Sequence, residues 1–234
     1  YLGKGWTKTR ADEEERVNVR HLLSMSSGLT SELAFADELG TVWYYNNPAY
    51  HTMKVVLERA VGRDLTGYSR ETLWRPLGMG DSSWEPRPYM LMPDGVTPMT
   101  ALVSSARDMA RFGLMVLAGG SWNGTDLVED KNYLKASLDT SQQMNPSYGY
   151  LWWLNGKAFH RLPAGSQPVS SPLIPSGPPD MVAAMGAGEK RIYVVPSLDL
   201  VVARHGGPAN SAGAAALSAF DTELWTRIMA AAPA

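Results

Sequence analysis

Apolar residues recur at three- and four-residue spacing after Pro48, at Ala49, Met53, Val56, Leu57 and Ala60, and Gly62 follows. This spacing predicts a buried helix stopped by the glycine. Asn47 is a good N-cap, and Pro48 suits the first helical position, where its missing N–H would be unpaired in any case. Upstream, Asn18 caps a shorter helix that buries Val19, Leu22, Leu23 and Met25 and ends at Gly28, with an irregular loop from 29 to 42. Downstream, a helical stretch begins at Leu65-Thr66, runs through Tyr68, Thr72 and Leu73, and ends at Pro76. The proline-rich segment Gly80 to Thr100 reads as a surface loop. Ser105 and Asp108 form a capping-box-like start to a helix carrying Met109, Phe112, Met115, Val116 and Leu117, closed by Gly119-Gly120.

The pattern then changes. A helix from Val128 to about Asp139 precedes Tyr148 to Leu154, whose aromatic, alternating character predicts a strand. Residues 155 to 180, rich in proline, glycine and serine, read as a long loop. Met181 to Ala184, Arg191 to Val195 and Leu200 to Ala203 read as antiparallel strands, the last two joined by Pro196-Ser197-Leu198-Asp199. A closing helix is expected from Ala212 to Met229. Helices first and antiparallel strands later give an α+β class, divided into a mostly helical part, 1–145, and a part holding the strands and closing helix, 146–234.

Composition narrows the functions. The chain has 234 residues, 44% hydrophobic and 19% charged, an ordinary globular balance. A formal net charge of −2 gives no reason to expect nucleic acid or an anionic membrane surface as partner. Absence of cysteine removes disulfides, thiolate nucleophiles and cysteine-ligated metals. No metal or cofactor is expected. No apolar run reaches the roughly 20 residues a membrane helix needs. The first residues show no signal-peptide pattern, although the chain reads as beginning partway through a domain, which leaves room for a signal upstream. The acidic run Asp12-Glu13-Glu14-Glu15 reads as a solvated surface.

Candidate chemistry centres on Trp43-Tyr44-Tyr45-Asn46-Asn47-Pro48-Ala49-Tyr50-His51. Taken singly, Asn47 reads as a helix cap and each tyrosine as a half-buried aromatic with its hydroxyl paired. His21, among apolar neighbours, reads as structural, since no Ser-His-Asp arrangement can be argued around it. The wider pattern changes the weighting. Val19-Arg20-His21-Leu22-Leu23-Ser24-Met25-Ser26-Ser27-Gly28-Leu29 resembles a signature of the serine β-lactamase and penicillin-binding-protein superfamily, in its class C-like branch. Tyr45-Asn46-Asn47 stands where that family carries Tyr-x-Asn, with Tyr50 as its second tyrosine. Glu58 to Gly62 and Leu73 to Met79 resemble two further segments, and Tyr148 to Trp153 a family strand.

The resemblance implies a β-lactamase/transpeptidase-like fold and acyl-transfer chemistry on a small ester, amide or peptide. Tyr45 would move the proton and Asn47 would orient the substrate. Gly186-Ala187-Gly188-Glu189-Lys190 falls where the family has the strand that lends an oxyanion N–H, so Gly186, Ala187, Gly188 and Lys190 are the candidates there. This stretch departs from the pattern. Ala187 replaces the expected Lys or His, Glu189 replaces a glycine, and Lys190 is a substitute cation that Glu189 could neutralise. A larger departure is that no serine has a lysine three residues on; Ser104-Ser105-Ala106-Arg107 comes nearest, and arginine does not serve as a base. Ser104 and Ser105 are read as cap residues. The nucleophile is therefore expected on a segment or second chain outside these residues, with a non-catalytic binding module and an oligomer-complemented fragment as the other readings. A periplasmic or secreted location is what the resemblance implies.

Overall fold

A computed structural model describes residues 1–163, 167–209, 217 and 219–232. The chain forms two compact units, Tyr1–Ser104 and Ser105–Ala234. The first holds α1 (Ala11–Glu14), α2 (Val19–Leu23), α3 (Asn47–His51), α4 (Met53–Val61), α5 (Leu65–Ser69), α6 (Arg75–Leu77) and a hairpin of β1 (Ser83–Leu91) and β2 (Pro98–Val103). Leu22, Leu29, Leu33 and Ala49 form a buried cluster on which Trp6, Val17, Phe35 and Met53 pack. The apolar faces of α2 and α3 thus meet over the intervening loop.

Several expectations for this unit need correction. The helix after Pro48 is broken at Thr52, whose N–H and hydroxyl both turn back to Ala49 O, at 3.3 and 2.7 Å. Its second half, α4, buries no residue completely. Met53 and Val56 instead line a groove of about 300 Å³ with Trp6, Val17 and Leu22. Within the acidic run Glu14 is buried and accepts from Gly5 N, Thr7 N and the Thr7 hydroxyl at 2.8, 2.8 and 2.6 Å. Burial alone would raise its pKa, but the Thr7 hydroxyl and the N–H donors hold the carboxyl below its ordinary value. Pro76 does not end its helix; it sits in the first turn of α6 after a π-turn at Arg70–Trp74, and Gly78 at φ 68° ends it. The segment 80–100 is largely strand, with Pro86 and Pro88 on β1 of a two-stranded hairpin.

The second unit begins with α7 (Ala106–Leu117), capped by Ser105, whose hydroxyl accepts Asp108 N at 3.2 Å. Ser104 is not a cap; its hydroxyl lies 2.8 Å from that of Ser82. A two-stranded turn, β3 (Ser121–Trp122) with β4 (Thr125–Asp126), and α8 (Lys131–Ser137) follow. The main sheet is antiparallel in the order β5 (Trp153–Leu154), β6 (Val182–Gly186), β7 (Lys190–Val195), β8 (Leu200–Arg204), and α9 spans Ala219–Ala231. Neighbouring residues of β7 face opposite ways. A Cβ at Gly113 of α7 would lie 3.0 Å from Ile192, while Arg191 and Tyr193 bond to Asp221 of α9. Helices therefore cover both faces of the sheet, which makes the architecture α+β.

The strand expected over Tyr148–Leu154 shrinks to β5, because Leu151 takes φ 63° and the chain folds back, bonding Gly149 N to Trp152 O at 2.8 Å. Asn155 pins the following long loop, donating to Ile174 O and Pro178 O at 2.9 Å each and accepting Ile174 N at 2.9 Å. Residues 164–166 of that loop, and positions 212–216 and 218 of the expected closing helix, lie outside the described residues.

Candidate functional site

The helix entrance is built by contact between the two motifs. Tyr44 N donates to Met25 O at 2.9 Å, and Asn46 N approaches the Met25 sulfur at 3.3 Å. Met25 itself takes φ 59°. Gly28 allows this packing: at φ 67° a Cβ would stand 2.0 Å from the Asp37 carbonyl oxygen, so only glycine fits. The N-cap of α3 is Asn46 and not Asn47. Asn46 is buried, its carboxamide oxygen accepts Ala49 N at 3.1 Å, and its NH2 donates to Leu29 O and Thr30 O at 2.7 and 2.9 Å. Asn47 becomes the first helical residue and is half-buried, and among the described residues its side chain makes no hydrogen bond. One asparagine carries the architecture and leaves the next one's amide available.

Tyr45 is half-buried, its ring 6.2 Å from Trp43 and 6.5 Å, edge-on, from Tyr50. Burial raises the Tyr50 phenol well above its ordinary pKa, a charge on Tyr45 adds to this, and Arg87 opposes it. His51 ties α3 to the hairpin. Its ring nitrogens face Asn47 O at 2.9 Å and Thr100 O at 3.0 Å; a neutral ring donates to one of these carbonyls and an imidazolium to both. Sequence reading left Asn46, His51 and Arg87 without a role. The four-residue step from Asn47 to His51 was the available signal for the histidine, whereas Arg87 sits between two prolines and offered none.

The structural reading of His21 holds. Its N–H donates to Asn18 Oδ1 at 3.1 Å while its Nδ1 accepts from Asn18 N at 3.4 Å, and burial, then Arg20 and Arg16, keep the imidazole below its usual pKa. Ser24, Ser26 and Ser27 are buried, with the hydroxyls of Ser24 and Ser26 2.8 Å apart and that of Ser24 on Arg20 O at 2.7 Å. They are scaffold groups. No cluster of His, Asp and Glu suited to a metal ion occurs among the described residues, nor any helix long and apolar enough to cross a membrane.

In the second unit Gly186 and Lys190 pair across the neck of a tight turn. Gly188 and Glu189 take φ 65° and 58°. Among the described ion pairs Glu189 meets Arg204. Its buried carboxylate accepts Ala209 N and lies 3.7 Å from Arg204, whose Nη1 donates to Glu189 O at 2.7 Å. Lys190, exposed, donates to Gly206 O at 3.2 Å, and its charge, after burial, keeps His205 below its usual pKa. Under the turn, Arg191 donates to Gly186 O at 2.8 Å and Lys190 O at 3.2 Å and pairs with Asp221 at 2.7 Å, both side chains fully buried.

The whole pattern can be set beside known proteins. No curated protein matches the chain. Among solved structures it is similar to a Bacteroides dorei protein assigned as a β-lactamase, at 15% identity and a TM-score of 0.65, covering 95% of this chain and 74% of that one. It is similar also to a β-lactamase/D-alanine carboxypeptidase from Yersinia pestis, at 16% identity and a TM-score of 0.60, covering 99% and 74%. A penicillin-binding protein from Bacillus halodurans aligns at 15% identity with a TM-score of 0.60, covering 91% and 72%. These likenesses are of fold. The family model described as Beta-lactamase matches residues 2–217, nearly the full length, and the chain belongs to the beta-lactamase family.

Proposed function

We propose that the chain contributes the Tyr-x-Asn half of a serine hydrolase that cleaves an ester or amide through an acyl-enzyme. The observation that carries this reading is the division of labour at the helix entrance: Asn46 makes the cap, so Asn47 keeps an unspent carboxamide two residues from the half-buried Tyr45. In the proposed reaction a serine oxygen bonds to the substrate carbonyl carbon, its proton passes through Tyr45 to the departing oxygen or nitrogen, and that C–O or C–N bond breaks. Water then returns the serine by the reverse route. Asn47 orients the substrate. The serine and its lysine come from outside these 234 residues, in which no Ser-x-x-Lys occurs.

That absence, with Ala187 at the family's cationic position, is the specific observation favouring a second reading, a ligand-binding module without catalysis. Hydrolysis of p-nitrophenyl acetate separates the two. The 234-residue chain alone is expected to show no burst, and the longer polypeptide of the same reading frame a stoichiometric one. Tyr45→Phe in that polypeptide should lower turnover by about 100-fold or more. An unchanged rate in Tyr45→Phe refutes the assignment, and absence of Ser-x-x-Lys upstream leaves the binding module.

A further inference from the structure

Met25 stands at the end of α2, in a place where a helix ordinarily turns on glycine. Ser24 is the C-cap, Ser26 N donates to His21 O at 2.9 Å and Met25 N donates to Leu22 O at 3.3 Å, which are the two bonds of a Schellman cap. The residue making the left-handed step in such a cap is usually glycine, because a Cβ is crowded there. Glycine makes it after α4 and α6, with Gly62 at φ 67° and Gly78 at φ 68°. After α2 the step is made by a methionine at φ 59° whose side chain is only 2% exposed. Bonds on both sides hold this strained residue in place, among them Ser24 N to Arg20 O and Gly40 N to Ser26 O, each 2.9 Å.

What a methionine offers there, and glycine does not, is a second acceptor. The Met25 carbonyl oxygen accepts Tyr44 N at 2.9 Å, and the Met25 sulfur accepts Asn46 N at 3.3 Å. These two donors belong to the residues immediately before and after Tyr45, so a single buried residue grips the chain on either side of the phenol. Glycine would supply the first grip alone. Asn46 is fixed in addition by its own carboxamide on Leu29 O and Thr30 O, whereas the only backbone bond from Tyr44 N runs to Met25. We propose that Met25 is a positioning residue that sets the direction of the Tyr45 side chain for proton transfer, acting through the N–H groups of Tyr44 and Asn46. This rests on the hydrolase reading and adds to it a residue, outside the Tyr-x-Asn motif, on which the aim of its phenol depends.

The test is Met25→Leu, which keeps the volume and the Met25 carbonyl and removes the sulfur. In the 234-residue chain labelled with ¹⁵N and with ¹³Cζ-tyrosine, the Tyr45 ring signal should move and the Asn46 amide should exchange about tenfold faster, while the Tyr68 signal and the urea midpoint hold. An unmoved Tyr45 signal with unchanged Asn46 exchange overturns the proposal. In the longer polypeptide, Met25→Leu should lower kcat for p-nitrophenyl acetate about tenfold and leave KM and the burst amplitude, which counts active sites, unchanged. A burst amplitude that falls in step with kcat reports lost folded enzyme and makes Met25 a packing residue only, which also overturns the proposal. Met25→Gln, of similar length and with an oxygen to accept Asn46 N, should restore Asn46 protection and part of the rate, and a Gln variant no better than the Leu variant counts against the sulfur grip. If hydrolysis is Tyr45-dependent but indifferent to Met25→Leu, the positioning proposal alone fails; if Met25→Leu moves Tyr45 in a longer polypeptide that does not hydrolyse esters, the hydrolase reading alone fails.

Discussion

The helix entrance at 43–51 and the turn at 186–190 are both stretches whose sequence resembles family motifs, yet they use their residues in opposite ways. At the entrance the motif residues are intact and the structural load has passed to the residue between them: Asn46 caps α3 and binds two loop carbonyls, and Asn47 is left unspent. At the turn the motif residues have changed, and the newcomers carry load themselves. Glu189 is buried in a left-handed conformation, accepts Ala209 N and pairs with Arg204, and Lys190 bonds Gly206 O. The lesson concerns what a substitution does to a motif. A position whose scaffold duties lie elsewhere keeps its side chain available, and a position that acquires such duties has become part of the frame.

The largest effect should come from beneath the turn. Asp221→Ala strands the Arg191 charge in a fully buried site, and about 3–5 kcal/mol of stability should be lost in urea unfolding; a loss under about 1 kcal/mol would mean the turn is not held by this pair. Next is the asparagine pair. Asn46→Ala removes the cap and leaves Leu29 O and Thr30 O without their donor, about 2 kcal/mol, whereas Asn47→Ala should cost less than about 0.5 kcal/mol in the same assay. Equal costs would erase the distinction drawn between the two sites. Smallest is Glu189→Gly. Relief of left-handed strain offsets the loss of the Arg204 pair, so stability should move by less than about 1 kcal/mol, while the Ala209 amide loses hydrogen-exchange protection.

The sequence made legible those features that local chemistry decides. Gly62 ends its helix in a left-handed conformation, Ser105 caps α7, and the strands around 182–204 lie within two residues of their expected places. Misreadings arose where two local answers were equally good and distant contacts chose. Asn46 and Asn47 are both fair caps, and the choice fell to Asn46 because it also reaches Leu29 O and Thr30 O. Glu14 looks like its acidic neighbours until the Gly5-to-Thr7 backbone folds over it. Prolines made β1 look like a loop, although strand edges tolerate them.

The way Asn46 is used also exposes a chemical weakness. Hydrolysis of that carboxamide to a carboxylate, a change of one functional group with no loss of bulk, would leave Ala49 N its acceptor but remove both donors and set a negative charge against the two carbonyl oxygens of Leu29 and Thr30. A molecule damaged in this way would keep Tyr45 and Asn47 untouched and lose the footing that aims them.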